Sequence, residues 1–206
     1  MPQERALLGG GASQKRLGDF ARGRACAHAA LAELGFEDAG ASPTPLLRAA
    51  GRAPQWPPGA VGSITHNQGG AAAAAARAQD YFGLGIDLER PGRLSEKMAV
   101  RICRPEEIAR LEALNGKARA MAAALIFSAK ESIFKALNPA SGVYLGFQDA
   151  ALETLPPAEA EEGAFRWRLH RACGADFPEG FTGPGRFLLR GGLLLTGVWL
   201  QRAAPP

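Results

Sequence analysis

Cysteine and histidine are both scarce in this chain, three of each, and each scarcity excludes a class of protein. The three cysteines, Cys26, Cys103 and Cys173, are widely spaced, odd in number and form no CxxC pair. That rules out a zinc ribbon or a disulfide framework and suits a reducing, cytoplasmic setting. No apolar run reaches the roughly 18 residues a membrane span needs, and Met1 to Gly11 lacks the apolar core of a signal peptide. There is no G-x-S-x-G elbow, no Walker loop and no His/Cys metal cluster. A basic run with interleaved aromatics is also missing, so nothing supports nucleic-acid binding. What is present is a chain of 206 residues, 47% hydrophobic and 21% charged. That is enough to bury a core in one or two globular domains. With 24 basic and 20 acidic residues the net charge is +4, which suits an anionic partner without naming it.

Glycine and proline are plentiful, 26 and 15 residues, but are scattered as punctuation, so no linker divides the chain. Ala12 to Leu34 reads as a helix capped by Ser13 and stopped by Gly35, with Leu17, Phe20, Leu31 and Leu34 on one face. A Pro-rich loop, Gly40 to Pro58, precedes the short apolar segment Val61 to His66. Ala71 to Ala78 has high helix propensity, yet its Gly-flanked setting favours a strand, expected to pair with the one ending at Leu88. Pro105-Glu106-Glu107 opens a helix. A long helix is expected from about Ala118 to Leu137, ended by Asn138-Pro139. Phe147 to Leu155, Phe165 to Leu169, Phe187 to Arg190 and Leu193 to Leu200 read as strands, the last two joined by a Gly191-Gly192 hairpin. The class is therefore α/β, in the mixed α+β sense.

Two clusters could carry chemistry. In Gly85-Ile86-Asp87-Leu88-Glu89, a strand would send Asp87 and Glu89 to one side and Ile86 and Leu88 to the core. Two carboxylates so close repel unless a cation lies between them, and oxygen ligands of this kind suit Mg²⁺. A polar strand end with two solvated acids satisfies the spacing equally well. In Phe127-Ser128-Ala129-Lys130-Glu131-Ser132-Ile133-Phe134-Lys135-Ala136, helical spacing buries Ile126, Ile133 and Leu137. It places Glu131 and Lys135 together on the opposite side. An ordinary i,i+4 ion pair explains those two, but flanking Phe127 and Phe134 suggest that this face is covered as well. Lys130, nearer the buried stripe, is placed to snorkel. On the first helix Arg24 shares the apolar face and Arg16 sits at its edge. Both either reach surface carboxylates or grip a phosphate. His66 closes Gly62-Ser63-Ile64-Thr65-His66, where small residues expose backbone N–H groups to a phosphate.

In this order and spacing the segments resemble the Sfp-type 4′-phosphopantetheinyl transferases. The likeness rests on Trp56-Pro57, Gly62 to His66, Gly85 to Glu89, Phe127 to Glu131 and Lys135-Ala136, and spans about Gln14 to Leu200. Arg16, Phe20 and Arg24 match the first-helix signature of the siderophore-synthase branch. Fewer residues precede that helix than is usual, and Arg52 stands where a lysine is common near the adenine. The resemblance implies two similar α/β subdomains related by a pseudo-twofold axis, with the active site between them. Residues 1–84 would form the half that binds the coenzyme A nucleotide, and residues 85–206 the half with the metal-binding carboxylates and the catalytic helix. It implies a monomer that moves the 4′-phosphopantetheine arm of coenzyme A to a serine of an acidic carrier protein. It further implies Mg²⁺ on Asp87, Glu89, Glu131 and the Leu88 backbone, with Glu131 as base and Lys135 and His66 as catalytic partners. Coenzyme A would contact Arg16, Arg24, Thr65, His66, Asp87, Glu131 and Lys135, with Arg52, Ala53, Pro54 and Gln55 around the adenine. A protein that binds coenzyme A without catalysis is the alternative these residues leave open.

Overall fold

The structure is a computed structural model that describes residues 1–36, 44–49, 53–67, 69–157 and 159–202. Arg52, expected near the adenine, lies outside these residues. After a short helix α1 (Pro2–Ala6), α2 (Gln14–Glu33) starts where the sequence signals it, with the Ser13 hydroxyl accepting the Arg16 N–H. It packs on an antiparallel pair, β1 (Ala60–Asn67) and β2 (Gly70–Arg77). Ala27, Leu31, Leu46 and Ala60 form the small core beneath it, joined by Phe36, Trp56 and Ile64. The alanine run is thus a strand, as expected, but its partner is β1, with Ala60 opposite Arg77. β1 and β2 are separated by only two residues in sequence, so this local pairing is the short route.

β3 (Tyr81–Glu89) instead opens a five-stranded antiparallel sheet of order β3-β7-β6-β5-β4. The others are β4 (Ala150–Leu152), β5 (Glu162–Leu169), β6 (Thr182–Arg190) and β7 (Leu193–Gln201). β6 and β7 turn through Gly191 and Gly192, both at positive φ (58° and 73°), as the predicted hairpin requires. Phe147 to Asp149, expected as strand, is a 3₁₀ turn, leaving only Ala150–Leu152 to pair. Helices α3 (Glu96–Ile102) and α4 (Pro105–Glu112) follow β3, and the long α5 (Gly116–Ser141) crosses the sheet. Asn138-Pro139 does not end α5; the helix runs on to Gly142, left-handed at φ 71°. Proline in the final turn gives up a single hydrogen bond, so termination falls to the residue that can adopt a positive φ. Ile126, Ile133 and Leu137 are fully buried, as their spacing predicts, in the larger core with Leu125, Trp167 and Leu194.

β3 departs from the expected facing. Gly83, Gly85 and Asp87 are buried against α5, whereas Ile86 and Leu88 are half-buried on the other face. The glycines explain this. A Cβ at Gly85 would lie 1.7 Å from Ser132 O, and one at Gly83 2.3 Å from Ala136 O. Only bare backbone lets α5 come this close, and in doing so it covers the face that carries Asp87. β1 runs beside β3 but is not hydrogen-bonded to it as a strand. Side chains make the connection: Ile86 N–H donates to Ser63 Oγ (3.1 Å), Leu88 N–H to Thr65 Oγ1 (3.1 Å), and Asn67 Nδ2 to Leu88 O (2.9 Å).

Gly85→Ala is expected to destabilise the protein by about 1–3 kcal/mol or more, since the new methyl meets backbone, which cannot turn aside. Gly146→Ala, whose added Cβ would have only the Asp149 side chain at 3.6 Å nearby, serves as control. The comparison is read from urea unfolding midpoints.

Candidate active site

Asp87 stands where α5, β1 and β3 meet. Lys135 Nζ donates to its Oδ1 at 2.7 Å and to Ile86 O at 3.1 Å. Thr65 Oγ1 donates to Oδ1 (3.2 Å) and Ser128 Oγ to Oδ2 (3.0 Å). A carboxylate offers about four lone-pair sites, so one site on Oδ2 stays open. Lys135 therefore reaches across to β3 and pairs with Asp87, not with Glu131 as helical spacing suggests. Glu131 is half-buried one turn earlier on α5, and no described residue donates a hydrogen bond to its carboxylate. Burial raises its pKa, and the charges of Asp87 and Glu89 raise it further, against an opposing pull from Lys135. The charges of Asp87 and Glu89, two residues apart on β3, thus reach Glu131 on α5. Glu89 accepts the Arg90 N–H at 2.8 Å.

Lys130 is buried, but it does not snorkel. Nζ makes a 2.6 Å ion pair with buried Glu107 and donates to Ile102 O (2.8 Å) and Phe147 O (2.9 Å). Glu107 also takes the Leu152 and Arg104 N–H groups, both at 2.9 Å. Adjacent residues on α5 thus divide the work: Lys130 fastens the helix to α3, α4 and the turn before β4, and Glu131 is left without such a tie. Beside Glu131 lies a cavity of about 170 Å³ lined by Phe134, Tyr144, Leu145 and Phe147 among others.

Arg16, Arg24 and His66 lie on α2 and β1. Arg24 is only 6% exposed, as its place on the apolar face predicts. Its Nε and Nη1 have no hydrogen-bond partner among the described residues. The guanidinium stands over the Phe20 ring at 4.9 Å and forms part of the wall of a cavity of about 720 Å³ between α1 and α2. Burial lowers its pKa and nearby Arg48 lowers it further, while Glu4 pulls the other way. Glu4 is held by His28 Nε2 (2.8 Å) and Leu46 N–H (3.0 Å). Arg16 is exposed. His66 is exposed at the end of β1, facing Gly23 of α2. Ala53, Pro54 and Gln55 return along the stretch before them, with Gln55 N–H donating to Leu47 O and an isolated bridge joining Arg48 and Pro54. Thr65 is buried and its hydroxyl serves Asp87 and Leu88, while the Leu88 carbonyl is taken by Asn67.

Sequence reasoning missed Arg48, Ser128, Thr196 and Glu107. Ser128 lies inside a quoted motif, and its small polar character on a buried helix face was the available signal. Glu107 stands in the quoted helix start, but its buried partner Lys130 is 23 residues on; Arg48 and Thr196 lie in no quoted motif. Among the described residues no three His, Cys, Asp or Glu side chains close into a ready metal cage. The donor chemistry nevertheless fits a hard divalent ion: carboxylate oxygens, mutual repulsion that disfavours the charge on Glu131, and one open site on Asp87 Oδ2.

Because folding raises the Glu131 pKa, the native state holds that proton more tightly than the unfolded chain. This stabilising contribution is present at low pH and lost as pH rises through the raised value. Glu131→Gln, which cannot ionise, is expected to melt higher than the wild type at neutral pH when no ligand is bound. The gap should close below roughly pH 4, where the glutamate is itself protonated. Melting curves across pH check this.

Residues 3–76 match the family model for the 4′-phosphopantetheinyl transferase N-terminal domain, and residues 83–173 that for the 4′-phosphopantetheinyl transferase superfamily. The 4′-phosphopantetheinyl transferase Svp of Streptomyces mobaraensis is 40% identical over 188 residues, covering 89% of this chain and 72% of that protein. The 4′-phosphopantetheinyl transferase Npt of Nocardia iowensis is 32% identical over 190 residues, covering 90% and 82% respectively. Among solved structures, the Thermotoga maritima holo-[acyl-carrier-protein] synthase aligns with 60% of this chain and 65% of its own. Its identity is 22% and its TM-score 0.46. With both halves matched, and with relatives this similar over most of their length, the chain belongs to the 4′-phosphopantetheinyl transferase superfamily.

Proposed function

We propose that the protein transfers the 4′-phosphopantetheine group of coenzyme A to a serine hydroxyl of a carrier protein, releasing adenosine 3′,5′-bisphosphate. The observation that carries this reading is Asp87, gripped by Thr65 from one half and by Lys135 and Ser128 from α5, with Glu131 beside it. In phosphoryl transfer, positioning and charge neutralisation supply most of the rate. Lys135 would meet the pyrophosphate while holding Asp87 in place. Glu131 is the base for the serine proton: burial and like charge raise its affinity for that proton, and nothing described ties its carboxylate down. The small apolar-walled cavity next to it suits the pantetheine arm. A purely binding role would leave the untied carboxylate of Glu131, with its raised affinity for a proton, without a task.

Asp87, Glu89 and Glu131 would hold Mg²⁺, with Leu88 contributing through its backbone. When bound, the ion offsets the charge that builds on the departing phosphate. Arg24 and Arg48 are two cations near one another, and the orphaned nitrogens of Arg24 suit the 3′-phosphate, with Arg16 and His66 at its approach. Ala53 to Gln55 would flank the adenine. The net positive charge speeds encounter with an acidic carrier protein. The enzyme is expected to work as a monomer. No helix of the described residues is long and apolar enough to cross a membrane.

Incubating the protein with coenzyme A, Mg²⁺ and an apo carrier protein should add one phosphopantetheinyl mass to the carrier, read by mass spectrometry. Asp87→Ala should abolish the gain, and near-normal turnover in that variant refutes the assignment. Separately, Arg24→Ala should weaken binding of coenzyme A far more than binding of its 3′-dephospho form, measured by calorimetry. Equal losses would show that this arginine does not meet the 3′-phosphate.

A further inference from the structure

A buried chain of hydroxyls ends on Asp87. Thr196 of β7 sits directly opposite Asp87 in the strand register. Its Oγ1 lies 2.8 Å from Ser128 Oγ and 2.8 Å from Ser132 Oγ, both on α5. Ser128, Ser132 and Thr196 are all completely buried. Each hydroxyl has a single proton, and an ionised carboxylate has none to give. Ser128 must therefore donate to Asp87 Oδ2, at 3.0 Å. Its oxygen then has only acceptor capacity toward Thr196, so Thr196 donates to Ser128. By the same rule Ser132 donates to Thr196, with the Thr196 carbonyl at 3.3 Å as a second acceptor. The protons run one way, from Ser132 to Thr196 to Ser128 to Asp87, and each bond polarises the next.

We propose that Thr196 is a positioning residue for Asp87: it orients the Ser128 hydroxyl and so fixes Oδ2, the carboxylate oxygen that keeps an open lone pair. Its bearing on catalysis rests on the function proposed above. Thr196 touches neither coenzyme A nor the serine in that reading. It acts only through Ser128, and it ties the orientation of Asp87 to the packing of α5 on the sheet.

Two variants test the proposal. Thr196→Val keeps the shape and β-branching of the side chain and removes the hydroxyl. Thr196→Ser keeps the hydroxyl and removes a buried methyl. Binding of Mn²⁺ to the protein loaded with coenzyme A is measured by electron paramagnetic resonance. Thr196→Val is expected to weaken it several-fold, less than the roughly tenfold or more that follows loss of a direct partner of a metal ligand. Thr196→Ser should bind like the wild type even though its melting temperature falls. Wild-type binding in the valine variant overturns the proposal, as does equal weakening in both. If the wild type itself binds no Mn²⁺, the metal assignment fails and the hydroxyl chain is judged from crystals of the variants. The Asp87 carboxylate should then be displaced in Thr196→Val and unmoved in Thr196→Ser. An Asp87 in the same position in all three proteins overturns the proposal.

Discussion

The backbone of α5 lies almost on the backbone of β3, and every distance in the site follows from that approach. An added Cβ at Gly85 would fall 1.7 Å from Ser132 O and one at Gly83 2.3 Å from Ala136 O, so helix and strand meet with no side chain between them. At this separation Lys135 can span from α5 to Asp87 and Ser128 can reach the same carboxylate. Interiors pack like crystals and have little slack, so a helix held a few ångströms farther away would break both hydrogen bonds together. The Lys130–Glu107 pair fixes the same helix from another side, against α4 and the segment entering β4.

Buried charge follows a consistent pattern. Glu4, Asp87, Glu107 and Lys130 are all buried, and each has charged or hydrogen-bonding partners within the chain. Arg24 is buried too, yet two of its nitrogens lack partners among the described residues. Native structures rarely leave such groups unsatisfied without a reason. Glu4, Glu107 and Lys130 spend their charge on partners within the fold, whereas two nitrogens of Arg24 are left unmet by the described residues.

Much of this was legible in the sequence. The cap at Ser13, the glycine hairpin at Gly191-Gly192, the buried stripe of α5 and the burial of Arg24 all follow from local periodicity and backbone chemistry. So did the motif order that pointed to the family. What could not be read was long-range partnership. Period-two alternation places Ile86 and Leu88 on one face and Asp87 on the other, but it does not say which face the helix will cover. The glycines at 83 and 85 held that answer, through space that only α5 could fill. Helical spacing put Lys135 beside Glu131, while the stronger attraction came from Asp87 on another element. Pro139 was read as a stop because its lost hydrogen bond is local, although the helix end was set by Gly142 three residues on. Thr196 and Arg48 carry no local signature; their significance comes from neighbours far along the chain.

The junction between β1 and β3 has a mechanical consequence. A regular ladder would weld the two sheets into one slab, but here Ser63, Thr65 and Asn67 bridge the strands with side-chain hydrogen bonds. Each contributes on the order of 1 kcal/mol, and three such bonds tie the strands less firmly than a continuous backbone ladder would. The seam can therefore shear or gape while both sheets stay intact, whereas a shared ladder would have to unzip.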